Sequence, residues 1–213
     1  AISGLREKPH LIFTSSGGAV YGDAAVGHFS KESDVCEPVV LYGIQKLTIE
    51  RYLHYAAKCG HLRATIFRIS NAYGQILPPQ RMQGLIGTSI SRILDKSPLR
   101  LIGNPDNTRD YIHVADIVSA IKKTLDLNHD FEIFNIGSGK GYSVRQVLEL
   151  ILDVSGTNLP INIELFDNSG LLPAWNVLDI DKAKRILGWQ PEIALPDGIS
   201  GMLAKAKGGS ART

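Results

Sequence analysis

Cysteine is scarce in this chain: Cys36 and Cys59 are the only two in 213 residues. Their spacing matches no metal-binding pattern, so the sequence predicts no metal site and two reduced thiols, buried or half-buried, in a cytoplasmic protein. An excess of one charge is missing too. A net charge of +2 without a basic run offers no footprint for nucleic acid or a membrane surface. Apolar runs are short, and none has the length a membrane-spanning helix needs. Ala1 to Pro9 hold no apolar core of signal-peptide length. Internal repeats and low-complexity blocks are also lacking. The rest is ordinary: 44% hydrophobic and 21% charged residues, in a chain long enough to bury a sizeable core.

Strand-like and helix-like segments alternate, which argues for an α/β protein. His10 to Ser15 reads as a buried strand that runs into Ser16-Gly17-Gly18-Ala19-Val20-Tyr21-Gly22. Small residues there let a ligand approach the backbone closely. Residues 23–40 read as a loop, and a helix follows to Cys59, stopped at Gly60. Arg63 to Ser70, Leu99 to Ile102, Phe131 to Asn135 and Ile161 to Leu165 read as strands. Pro78 and Pro79 keep their stretch in loop. Helices are expected over 84–96, from Val114 to Leu125, from Val144 to Val154 with Ser143 as N-cap, and over Asp181 to Leu187 before Gly188. Lys205 to Thr213 reads as a frayed polar tail. Gly137-Ser138-Gly139-Lys140-Gly141 looks like a phosphate loop, but its spacing is G-x-G-x-G; a tight strand-to-helix connection is the better reading.

The helix that ends at Cys59 opens with Tyr42 and Lys46. Four residues apart on a helix, they share one face. An ammonium beside a phenol favours the ionised phenol, the form in which a tyrosine acts as a base. The same Y-x-x-x-K pattern also describes a solvated lysine beside a packed tyrosine, so the neighbourhood decides.

That neighbourhood is an ordered series. Ser15-Ser16-Gly17-Gly18-Ala19-Val20-Tyr21-Gly22 precedes Tyr42-x-x-x-Lys46. Arg68-Ile69-Ser70-Asn71-Ala72-Tyr73-Gly74 and Arg109-Asp110-Tyr111-Ile112-His113-Val114-x-Asp116 come next, and Asp181-Lys182-Ala183-Lys184-x-x-Leu187-Gly188-Trp189 closes it. The set resembles the extended short-chain dehydrogenase/reductase family, and within it the NAD-dependent nucleotide-sugar epimerases of the UDP-glucose 4-epimerase type. The likeness spans about residues 10–195. The family's first half carries a glycine-rich NAD loop, and no G-x-x-G-x-x-G occurs in this sequence. The resemblance therefore implies the C-terminal part of a Rossmann-type parallel sheet joined to a smaller α/β substrate-binding domain, within a longer enzyme. Residues 1–75 would be the incomplete NAD-binding portion. Residues 76–205 would be mostly the nucleotide-sugar domain, with about 104–135 returning to the Rossmann sheet, and 206–213 a flexible tail.

The resemblance also implies roles. Tyr42 would take a proton from a sugar hydroxyl while hydride leaves the same carbon for NAD. Lys46 would assist Tyr42 and hold the nicotinamide ribose, and Ser15 would border the cofactor. Asn71, Gly84 and Leu85 would lie along the nucleotide sugar, and Arg109 would meet its diphosphate. A UDP-hexose would be the substrate, turned over at C4 through a keto sugar, by a homodimer. Two departures from the family pattern stand out. Gly17 occupies the position of a Ser or Thr that bonds the reacting oxygen, leaving Ser16 to substitute. Asn168 and Leu171 stand where the pattern has Arg and Asp for the nucleotide. A dehydratase would carry an Asp-Glu pair where this chain has Gly18 and Ala19. A reductase or decarboxylase of the same family, and a fragment that only binds nucleotide, are also compatible with the series. Structural roles are expected for Arg68 (paired with a carboxylate), His113 (packed or backbone-bonded), Asp116 (at a helix N-terminus) and Trp189 (core).

Overall fold

The computed structural model describes residues 8–75, 84–165 and 173–209. In chain order the elements are β1 (His10–Ser16), α1 (Gly17–Val20), β2 (Phe29–Ser30), α2 (Leu41–Lys58), β3 (Arg63–Ile69), β4 (Asn71–Tyr73), α3 (Leu85–Leu94), β5 (Leu99–Ile102), β6 (Thr108–His113), α4 (Val114–Thr124), β7 (Phe131–Ile136), β8 (Gly141–Ser143), α5 (Val144–Ser155), β9 (Ile161–Glu164), β10 (Trp175–Leu178), α6 (Asp181–Leu187) and α7 (Leu195–Gly209).

A parallel sheet in the order β1-β3-β7 forms one layer. Its middle strand is buried from Ala64 to Arg68 without alternation, as a parallel strand covered on both faces must be. β1 is less enclosed than its apolar sequence suggests. It is mostly half-buried, and among the described residues it is hydrogen-bonded along one edge only. A second sheet runs β2-β10-β6-β4, with β8 antiparallel to β6, and β5 pairs with β9. Phe67, Phe134, Ile136, Ile112, Ala120 and Trp189 pack together beside the first sheet. A larger core gathers α3, β5, α5 and α7 through Ile86, Ile90, Leu101, Leu148, Ile151 and Ile199.

Local signals place several boundaries. Ser143 and Gln146 form a reciprocal capping box at the start of α5, and Gly156 ends it in the left-handed conformation. Gly188 ends α6 in the same way. His113 caps α4, its Nδ1 accepting from the Ala115 amide. Trp189 is buried and donates to the Asp116 carbonyl and the Ser119 hydroxyl.

Four expectations need correction, and the one for Asp116, which does stand in the first turn of α4, is extended. Lys205 does not begin a frayed tail, because α7 continues to Gly209. Its Leu195, Ile199, Met202 and Leu203 fall on one face and are buried in the larger core, which outweighs the poor helix propensity of Pro196, Gly198 and Gly201. Asp116 does more than face a helix dipole: its buried carboxylate accepts from the Glu192 and Ile193 amides and so ties α4 to the chain entering α7. Cys59 is exposed rather than buried. Residues 23–40 are not all loop, since β2 pairs with β10. The stretches at β6 and β10 are strands, where the sequence alone suggests none. The segments holding Pro78 and Pro79, and Asn168 and Leu171, lie outside the described residues.

Candidate functional site

A cleft of about 730 Å³ opens where the C-terminal ends of β1 and β3 meet the start of α2 and α3. Open α/β sheets place ligands at this end of their strands. Tyr42 and Lys46 form one wall, Ser15 and Ser16 line the strand end, and Asn71, Gly84 and Leu85 face them. Seven of the eight sequence-predicted site residues therefore border one space.

The Tyr42 wall depends on close approach. Gly43 is buried, and a Cβ there would collide with the Ala19 carbonyl oxygen and with Pro38. Glycine lets the first turn of α2 sit directly on the turn that follows β1. Tyr42 stays 53% exposed, so its hydroxyl is open to a ligand. Lys46 follows one turn later. Its Nζ donates to the Thr14 carbonyl over 2.8 Å and lies 5.5 Å from the centre of the Tyr42 ring and 4.8 Å from that of Phe13. The ammonium is thus fixed between strand and phenol.

Tyr73 and Tyr111 also line the cleft. Burial pushes both phenols up, Tyr111 to about 12 against the pull of Arg109, and Tyr73 further. Both remain protonated at neutral pH, which leaves Tyr42 as the solvent-open phenol of the cleft. Sequence alone assigns neither Tyr73 nor Tyr111 a role. Both stand inside its motifs, and the alternation of β4 and β6 points them inward.

Ser15 and Ser16 divide their work. The Ser15 hydroxyl donates to Glu50 Oε1 over 2.5 Å, so Ser15 offers the cleft its backbone. Ser16 faces the cleft from the other side of the strand, 3.8 Å from where a Cβ on Gly18 would be. Asn71 Nδ2 donates to the Asp110 carbonyl across 3.0 Å, and among the described residues its other hydrogen has no partner.

Gly17 cannot carry the hydroxyl that the family pattern puts at its position. A Cβ there would come within 2.6 Å of Leu178 Cδ1 and 3.1 Å of the Arg68 carbonyl oxygen. Leu178 is fully buried, so it has little room to yield. Gly17→Ser is expected to destabilise the fold by about 1–3 kcal/mol through overpacking, visible as a lower melting temperature. A variant as stable as wild type would contradict this packing argument.

Arg109 stands apart from the other predicted residues. It is not among those lining the cleft, although it shares a strand face with Tyr111 two residues on. Its Nη1 donates to the Thr108 carbonyl over 2.8 Å. Burial lowers its pKa from the usual arginine value, while Tyr111 and Asp23 act the other way.

The G-x-G-x-G loop is a tight connection, but it joins β7 to β8 and not a strand to a helix, and its amides are turned onto an internal carboxylate. Asp110 is fully buried. Its Oδ1 accepts from the Ser138 amide and hydroxyl, 2.7 Å each, and from the Ser70 hydroxyl at 3.3 Å. Its Oδ2 accepts from the Gly139 amide at 3.1 Å and the Leu178 amide at 3.4 Å. Burial pushes this carboxyl above the usual range, and the hydrogen bonds pull it back. The loop amides of Ser138 and Gly139 are therefore committed to Asp110.

Among the described residues there is no cluster of three or more metal-ligating side chains, and no helix is long and apolar enough to cross a membrane.

The family model described as NAD dependent epimerase/dehydratase matches residues 2–137. A dTDP-4-dehydro-6-deoxyglucose reductase of Escherichia coli is 35% identical over 199 residues, covering 91% of this chain and 60% of the relative. A putative UDP-glucose 4-epimerase of Methanocaldococcus jannaschii is 32% identical, covering 89% and 60%. The crystal structure of a UDP-glucose 4-epimerase from Thermotoga maritima with UDP-glucose superimposes with a TM-score of 0.87 at 29% identity, over 94% of this chain and 64% of that one. The Thermus thermophilus UDP-glucose 4-epimerase in complex with NAD gives 0.84 at 26% identity, with the same coverage. The chain thus spans about 60% of the length of these curated relatives, and its α/β fold is that of Rossmann-type epimerases.

Proposed function

Because the chain belongs to the NAD-dependent epimerase/dehydratase family, we propose that the cleft at Tyr42 is the catalytic centre of a nucleotide-sugar epimerase acting at C4 of a UDP-hexose. The observation that carries this reading is the placement of an open tyrosine, with a fixed lysine one turn away, in a cleft that also holds Ser16 and Asn71. NAD fits one end of it. Tyr42, Lys46 and the Ser15 backbone suit a nicotinamide riboside, with Lys46 as donor to the ribose hydroxyls. The 213 residues contain no G-x-x-G-x-x-G loop for the pyrophosphate, so the activity is assigned to the whole protein.

In this reading Tyr42 Oη takes the proton of the sugar hydroxyl, and the Ser16 hydroxyl donates a hydrogen bond to the same oxygen. When bound, NAD supplies the acceptor for the hydride leaving that carbon and the donor for its return. Asn71, the Gly84–Leu85 segment and Arg109 hold the nucleotide sugar, Arg109 turning from the Thr108 carbonyl toward the diphosphate. Tyr42 returns its proton after the keto sugar has presented its other face, so the cycle leaves no net oxidation. Incubating the whole protein with NAD and UDP-glucose should yield UDP-galactose. No product from any UDP-hexose would remove the assignment.

A second reading is favoured by the Escherichia coli relative, whose name is that of a dTDP-sugar reductase. It requires net consumption of NADH with a dTDP-4-keto sugar, which an epimerase does not show. A dehydratase is disfavoured by Gly18 and Ala19, which bring no acid to the cleft. A fragment that only binds nucleotide would bind UDP and turn nothing over.

We assign the whole protein to the cytoplasm and to a homodimer. Leu41, Ile44, Tyr52 and Tyr55 fall on the outer face of α2, each 48–70% exposed, and side chains of this kind are favoured at interfaces. Replacing Tyr52 and Tyr55 together by Glu should halve the mass measured by light scattering. A dimer that survives this change uses another face.

A further inference from the structure

We infer that Glu50 is a positioning residue of the proposed active site: its buried carboxylate fixes the register of the Tyr42–Lys46 helix against the serine end of β1. The inference rests on the catalytic reading of the cleft given above.

Tyr42, Lys46 and Glu50 recur at intervals of four along α2 and therefore share a face. The first two reach the cleft, and Glu50 anchors the third position. Glu50 is 2% exposed and Arg68, on β3, is 3% exposed. Arg68 Nη2 donates to Glu50 Oε2 over 2.7 Å, and Nε lies 3.2 Å from each carboxylate oxygen. Glu50 Oε1 also accepts the Ser15 hydroxyl at 2.5 Å. One carboxylate therefore joins α2 to two neighbouring strands.

The far side of Arg68 is held as firmly. Its Nη1 donates to Tyr21 Oη over 3.0 Å, and its guanidinium lies 4.9 Å from the centre of the Tyr21 ring. Tyr21 Oη in turn donates to Asn135 Oδ1 at 2.6 Å. Burial works against the Arg68 charge, but the bonds to Glu50 and Tyr21 outweigh it and raise its pKa above the usual value.

Two features separate placement from plain stability. Buried ion pairs lose much of their attraction to desolvation, and apolar pairs of similar size often replace them without loss of stability. Such a replacement could not hold Ser15. Side chains alternate along a strand, so fixing Ser15 toward Glu50 holds Ser16 toward the cleft. The same carboxylate sets the height of α2, and with it the distance from Tyr42 to Ser16.

The test compares Glu50→Asp, which draws the carboxylate back by one methylene, with the double variant Glu50→Met/Arg68→Met, which removes both charges at similar volume. Each is made in the whole protein. Both should fold, with amide hydrogen exchange over residues 41–46 faster by tenfold or more and unchanged in β3 and β7. Their kcat should fall by tenfold or more, while KM for the nucleotide sugar stays within twofold. Folded variants with wild-type exchange over 41–46 would overturn the inference, even if the wild-type protein proved inactive as an epimerase. A wild-type kcat in both variants would overturn it too. Failure of both variants to fold would likewise count against it, because the pair would then be holding the fold and not the site. An inactive wild type with faster exchange in the variants would remove the catalytic reading and leave the positioning role in place.

Discussion

Tyr42→Phe in the whole protein is expected to lower turnover by at least about 100-fold, the lower range for a lost acid–base group and about 2.7 kcal/mol of barrier. The melting temperature should not change. Tyr42 is more than half exposed at the cleft wall, so removing one oxygen disturbs no packing. Ser16 is not expected to take over, because an aliphatic hydroxyl is a far weaker acid than a phenol and in the proposed mechanism it donates to the substrate oxygen. Tyr73 and Tyr111 cannot either, since burial keeps both protonated. Turnover in Tyr42→Phe within threefold of wild type would end the proposed chemistry while leaving the fold untouched.

Asp110→Asn is expected to cost about 2–3 kcal/mol of stability, the range for hydrogen bonds to a buried charged group. Asp110 joins three parts of the chain: the end of β3 through Ser70, the loop before β8 through Ser138 and Gly139, and β10 through Leu178. Both of its oxygens accept backbone amides. An asparagine must turn its NH2 toward one of these pairs and set donor against donor. The unfolding midpoint should fall clearly in a denaturant titration. An unchanged midpoint would mean that the loop satisfies its amides in another way. The effect should reach the cleft as well, because Asn71 leans on the Asp110 carbonyl.

The alternation of strands and helices, the caps at Ser143 and Gly188 and the span of α2 were legible because each follows from local chemistry. The Tyr42–Lys46 face was legible for the same reason: helical spacing alone puts the two side chains together. What sequence could not supply came from contacts across the chain. α7 carries Pro196, Gly198 and Gly201 and has no helical signal of its own; it forms because Ile199 and Met202 find the core built by α3 and α5. β6 and β10 are short and polar at several positions, and their pairing partners lie far away in sequence. The phosphate-like glycine loop was separated from a ligand site by its spacing, but nothing in its own residues showed that Asp110 would fill it. Glu50 stands one turn beyond Lys46 without a signal of its own, because its partners Ser15 and Arg68 belong to two different strands. Gly17 was visible as a departure; the reason a side chain is refused there lies in Leu178, 161 positions away.

One measurement bears most directly on the account. The whole protein, with NAD, is given UDP-glucose deuterated at C4 of the glucose, and the products are followed by NMR. The account predicts UDP-galactose with the deuterium still at C4, because hydride leaves and returns at that carbon while Tyr42 handles only the hydroxyl proton. UDP-galactose whose C4 deuterium has been lost to water, or UDP-glucose recovered unchanged after long incubation, would contradict it.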